Sequence, residues 1–162
     1  MIEANYVGLA PEHLVLEPKA RQWCTLPYPD HPHGCPNFGK HVTCPPEAPE
    51  AAGWLTGTST LWLAYVKFDL AAHVAKMQAQ QPGWSMRQAR CLLYWQPSVN
   101  KCLREFTEQL LVKLSRHGAI KATYCPEAMG IQVLQTANNA GIPIQQHPVN
   151  YIYKVALVAK VN

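Results

Sequence analysis

The chain has 162 residues, a formal net charge of +4, 48% hydrophobic residues and 15% charged ones, which suits one globular domain able to bury its own core without crosslinks. The basic residues are scattered, with no Lys/Arg run of the kind that reads as a nucleic-acid or membrane patch, and no stretch approaches the ~20 uninterrupted apolar residues of a membrane span. Serine-triad, P-loop and dinucleotide signatures are absent, so hydrolase, NTPase and dehydrogenase readings have no support.

In chain order, Leu14–Leu16 is a short apolar run before Pro18 and reads as an edge strand. Residues 21–58 are rich in Pro, Gly, His and Cys and carry almost no periodicity; half of the fourteen prolines fall at 27–49. A loop this long inside a compact domain is expected to be functional and held by something, and a metal is the obvious candidate. Leu61–Phe68 then reads as a strand, rich in β-branched and aromatic residues, and Leu70–Met77 as a helix ending before Pro82-Gly83. Ser85 and Gln88 form a capping box that opens a helix through Arg90, Leu93 and Trp95. Pro97 kinks or restarts it. Val99, Leu103, Phe106, Leu110 and Leu114 step by three or four residues, giving one apolar helical stripe that stops near Gly118. Ile120–Tyr124 is a short strand, Ile131–Ala140 a helix ended by Gly141, and "YIYKVALVAKV" a closing strand.

These elements predict an α/β (α+β) fold: a small sheet of about three to four strands packed with helices, plus an N-terminal irregular Cys/Pro-rich metal-binding loop. The predicted organisation is a single domain, 1–162, with the loop at 21–58 and the α/β core at 59–162. The start of the chain lacks a basic region followed by an apolar run, so no secretory leader is expected and a cytoplasmic setting follows. There, clustered cysteines point to metal or catalysis more than to disulfides.

Cys24, Cys35 and Cys44 are separated by ten and eight residues, which matches neither the tight pairs of zinc ribbons nor the ferredoxin repeat. Local chemistry strengthens the metal reading. Cys35, Cys44 and Cys125 are each followed by proline, which fixes the path of the chain away from a ligand. Gly34 and Gly39 permit the sharp turns that wrapping a cluster requires. Cys125 ends a strand just before a helix, where N-terminal N–H groups would favour its thiolate; it is the preferred fourth ligand, with a nucleophile or a buried thiol as alternatives.

The pattern "WC-x₂-PYP-x-HP-x-GCPN-x-G-x₄-CPP", with "YWQ" at 94–96 and "YCPEAMGI" at 124–131, resembles a family of uncharacterised small proteins of the domain-of-unknown-function type, predicted to bind metal. The resemblance spans most of the chain and implies Cys24, Cys35, Cys44 and Cys125 as cofactor-binding, metal-ligating residues. It implies no reaction and no substrate, and it gives Cys91 and Cys102 no role beyond structure.

Iron–sulfur and zinc compete for those thiols. The Cys-Pro steps and the lack of a C-x₂₋₄-C pair favour an iron–sulfur cluster, [4Fe-4S] first, used for electron transfer or for sulfur or small-molecule chemistry. The alternative is a zinc-stapled binding module, Cys₄ or Cys₃ with His31, His33 or His41, whose partner is a protein or nucleic acid. A third reading is a metal-free redox-sensing thiol protein. If Cys125 is not a ligand, one iron is open as a Lewis acid, and Cys125 and Glu127 become candidate nucleophile and general base; Glu127 is equally explained by the helix dipole. Tyr94, Trp95 and Gln96, at the expected kink, are the best wall for a small anionic or nucleobase-like ligand, although tryptophans in a domain of this size mostly pack the core. Arg87, Arg90 and Arg104 could hold an anion or face solvent. A redox partner protein would go with electron transfer.

Overall fold

The computed structural model describes residues 1–28 and 31–162; Pro29 and Asp30, inside the predicted loop, lie outside them. The fold is α+β, as the sequence predicts. Four strands, β1 (Ile2–Leu9), β2 (Thr58–Asp69), β3 (Ile120–Thr123) and β4 (Tyr151–Val161), form one antiparallel sheet in the order β1-β2-β4-β3.

The central pair β2–β4 is apolar on both faces because both faces are covered. Even-numbered residues such as Ala64, Val66, Ala156 and Val158 enter one core cluster, and odd-numbered ones such as Leu63, Val155 and Leu157 enter another. Period-two alternation puts successive side chains on opposite faces, so a strand buried on both sides reads as a nearly continuous apolar run.

Helices α2 (Leu70–Gln80) and α4 (Gln96–Leu114) cover the even face. The predicted stripe holds: Val99, Leu103 and Leu110 are buried, with Phe106 and Leu114 packed at the margin. Pro97 lies in the first turn of α4 and starts that helix, where its missing N–H costs nothing. The odd face is covered by less regular chain: α1 (Ala51–Leu55), a 3₁₀ turn at Pro126–Met129, and α5 (Val133–Asn139).

Three local expectations change. The edge strand is β1, at Ile2–Leu9. Leu14–Leu16 is extended but off the sheet: Leu16 bridges Ile131, and the Val15 carbonyl accepts from Gln132 N at 2.9 Å. The Ser85–Gln88 capping box is present, yet the helix it opens, α3, covers only Met86–Ala89. The chain breaks because Trp95 turns inward. Its ring stacks on Phe68 at 5.3 Å and 18°, and its Nε1 donates to Arg90 O at 3.2 Å, so burying the indole outweighs continuing the helix. The third change lies in the loop, which contains a 3₁₀ helix at Pro18–Thr25 and α1.

Candidate metal centre and adjoining cleft

Cys24 lies at the end of the Pro18–Thr25 helix, and its backbone carbonyl accepts the N–H of Cys35 at 2.6 Å. Gly34 makes this approach possible. Its φ is +81°, and a Cβ there would lie 2.4 Å from the Cys24 carbonyl oxygen, inside contact distance. Cys44 ends the turn 41–44: its N–H donates to His41 O, and its own carbonyl accepts from Ala48 N. Cys125 follows β3, its N–H donating to Thr123 Oγ1 at 3.3 Å, and its thiol meets the Thr43 hydroxyl.

The loop is tied to the rest of the molecule by Arg21, a residue that sequence reasoning missed. Its Nη1 donates to the carbonyls of Ala48 (2.8 Å), Pro49 (3.1 Å) and Ala128 (3.0 Å), and its Nη2 to Pro46 (3.1 Å). One planar guanidinium therefore joins the Cys24 helix, the chain after Cys44 and the turn after Cys125. Beside it, Glu17 N donates to Gly130 O at 2.8 Å, and Gly130, at φ +91°, packs on Pro18.

The predicted ligands interact through Cys24, which senses Cys35 and Cys44, and through Cys125, which senses Cys44 and Cys24. Burial pushes the Cys24 thiol up, and Cys35, Cys44 and Glu127 push it further. Burial also raises Cys125, followed by Glu127, Cys44 and Cys24, against the Thr43 hydrogen bond. The expectation that a helix N-terminus favours the Cys125 thiolate is thereby corrected: the four-residue 3₁₀ turn is outweighed by desolvation and negative neighbours. All four thiols are only half-buried. Among the described residues no three His, Cys, Asp or Glu side chains converge closely enough to hold a metal ion as they stand, so a metal binding here would have to draw the thiols in. His33 and His41 are exposed, and His31 lies tilted against the Tyr28 ring at 4.6 Å. Cys102 packs on the even-face core, and Cys91 caps a 3₁₀ turn at Leu92–Tyr94.

Cys125 and Glu127 also line a cleft of about 650 Å³, bounded by α4, the edge of β4 and the chain at 144–148. The cleft exists because β3 stops at Thr123, opposite Leu157, leaving residues 151–156 of β4 paired only with β2. Glu127 keeps solvent-accessible surface, yet enough protein surrounds its carboxyl for desolvation to push it up; it sits in a wet recess, not in a dry core. Lys154 reaches into the same cleft from β4. Two lysines, Lys154 and Lys160, fall in the apolar run "YIYKVALVAKV", and the first of them, well inside the strand, was the sequence signal for it.

The other predicted ligand wall is not built. Trp95 is 4% exposed and belongs to the core, whereas Tyr94 is exposed and lies against Trp84 at 5.2 Å. Arg90 is engaged by the Pro148 carbonyl, and Arg104 lines the cleft. No helix is long and apolar enough to cross a membrane among the described residues. No protein-family model, no curated protein and no solved structure matches this chain.

Proposed function

We propose that the chain is a metal-binding protein that carries an iron–sulfur cluster, of the [4Fe-4S] type, on Cys24, Cys35, Cys44 and Cys125, and uses it for electron transfer or for sulfur or small-molecule chemistry. The observation that supports this reading is that Cys24 lies within electrostatic reach of Cys35 and Cys44, and Cys125 within reach of Cys24 and Cys44. As bare thiolates they would repel, and burial makes the repulsion worse. Bound iron would reverse that sign, since a coordinated thiol is deprotonated outright. Soft thiolate sets select iron–sulfur clusters, zinc or Cu(I) over hard cations. A reducing, cytoplasmic setting belongs to the same proposal, because the thiols must stay reduced.

The deciding experiment is iron, zinc and acid-labile sulfide content after strictly anaerobic purification, read with the visible spectrum. Iron with matching sulfide is expected. Alanine at Cys24, Cys35 or Cys44 should abolish both, and alanine at Cys91 or Cys102 should leave both in place. Cys125→Ala distinguishes a closed cluster, which loses iron, from one with an open iron, which keeps it. Stoichiometric zinc without sulfide would replace this reading with a structural staple, and no metal at all would leave a redox thiol protein.

A further inference from the structure

Lys154 is the least expected charge in the molecule. It stands on β4 with its side chain on the even face, half-buried between strand and helix, where a lysine seldom stays without a partner. Its Nζ donates to Asn100 Oδ1 at 2.7 Å, which is a neutral acceptor. Among the described residues no carboxylate stands within ion-pair distance of it. Burial pushes the ammonium down, and Glu127 and Cys125 pull the other way from farther off. Buried charges are ordinarily paired. A cation left with one amide oxygen at the wall of a cavity is therefore short of an anion.

The surroundings supply the rest of an anion site. Asn100 and Arg104 lie four residues apart on α4, one above the other on the helix face that lines the cleft. With its Oδ1 held by Lys154, the Asn100 amide points its remaining donors away from the lysine. Three donor groups, an ammonium, an amide and a guanidinium, thus line one cavity. Leu103, Val133, Leu134 and Ile144 make its apolar wall, and its size suits a small molecule. The charges also have a direction, because Glu127 and Cys125 share the cleft as its acidic and thiol groups.

We propose that this cleft binds a small organic anion, a carboxylate or a phosphate, with its acidic group among Lys154, Asn100 and Arg104 and its body along the apolar wall toward Cys125. That the far end meets reactive chemistry rests on the metal reading; the anion site itself does not.

The test uses the full chain as purified, with metal content recorded on each sample. Butyrate and inorganic phosphate are titrated at low ionic strength while the side-chain amide signals of Asn100, Gln145 and Gln146 are followed by NMR. Saturable shifts at those amides are expected for at least one probe. Butyrate alone saturating would assign a carboxylate, and phosphate alone a phosphate. Lys154→Gln should weaken binding at least tenfold and Arg104→Gln severalfold, the latter being an exposed position that tests the site should Lys154→Gln not fold. Lys101→Gln, on the solvent side of α4, should change nothing. Unsaturable shifts with both probes would overturn the proposal. So would equal affinity in Lys154→Gln with an altered metal spectrum, which would make the lysine a counter-charge for the cysteines. Binding in a metal-free sample would uphold the anion site while removing the metal reading, and metal without binding would do the reverse.

Discussion

The even face of the sheet is closed by aliphatic and aromatic side chains at helical spacing, whereas the odd face beside the cysteines is closed by chain with little periodicity. On the first, α4 lays Val99, Leu103 and Leu110 across Ala64, Val66 and Val158. Burial of that kind is non-directional and scales with area, so volume matters more than atomic identity. On the second, Arg21 holds four backbone carbonyls and two glycines at positive φ admit close backbone contact. There, single atoms decide the path of the chain. The loop therefore does not rely on a metal alone for its order. A metal would adjust the spacing of thiols already gathered by polar contacts, and chelation should leave the fold standing.

Truncation on the two faces ought to fail differently. Leu110 is 3% exposed, and Leu110→Ala should lower global stability by about 2–5 kcal/mol, the range for emptied leucine sites. Urea denaturation followed by far-UV circular dichroism would register this as a lower midpoint of one cooperative transition. Gly34→Ala should cost roughly 2–3 kcal/mol, from a left-handed backbone that alanine dislikes and from the clash with Cys24 O. That cost should stay local. Limited proteolysis should cut within 21–50, with loss of the metal if the proposed cluster is bound, while the sheet keeps its transition. A uniform drop in the midpoint, with no new cleavage, would mean that loop and sheet fold as one unit and the contrast is false.

The same contrast explains what was legible beforehand. β2, β4 and α4 announce themselves because burial imposes a period, and Pro97 marks the start of α4 because proline is welcome in a first turn. The length of α3 was not legible, since it depends on Trp95 finding Phe68 some thirty positions away in sequence. β1 was missed because "IEANYVGL" is half-exposed and gains its order from pairing with β2. Cys35, Cys44 and Cys125 could be picked from their Cys-Pro steps and Cys24 from its place in the same loop; Cys24 and Cys125 each lie within electrostatic reach of Cys44, but among the described residues the side chains form no metal-holding group. Arg21 could not. An arginine in a polar loop looks like any other, and its carbonyl at Ala128 is 107 residues distant. Lys154 could have been found by asking why a charge interrupts a strand apolar on both faces.

Arg21→Lys sharpens the comparison at smaller amplitude. Lysine keeps the charge but loses the planar fork, so several of the four carbonyls lose their donor. A loss of about 1–2 kcal/mol is expected, from hydrogen bonds to a charged group, and felt in the loop. Hydrogen exchange at Cys35 and Ala48 should quicken while β2 and β4 amides hold their protection. Unchanged exchange at both would show that the glycine contacts alone fix the loop.

The smallest effect is expected on the even face, where a polar group was left among apolar ones. His73, on α2, packs against Phe68 at 5.5 Å, and its Nε2 is buried with no hydrogen-bond partner among the described residues. Burial pushes its pKa below the ordinary imidazole value, with Lys76 and the N-terminal ammonium adding to the shift, while the nearby Ala89 backbone opposes it without bonding Nε2. The folded chain thus releases this proton more readily than the unfolded one. Stability from the neutral ring is complete above the ordinary value of 6.5 and is lost as pH falls below it toward the lowered folded value. Thermal unfolding of the protein and of His73→Gln, from pH 8 down to pH 5, checks the sign. The variant should start lower, for lost packing, but its midpoint should fall less on acidification, so the two curves converge. Parallel curves would mean that the ring reaches water when protonated, and that even the regular face yields to solvent at this helix.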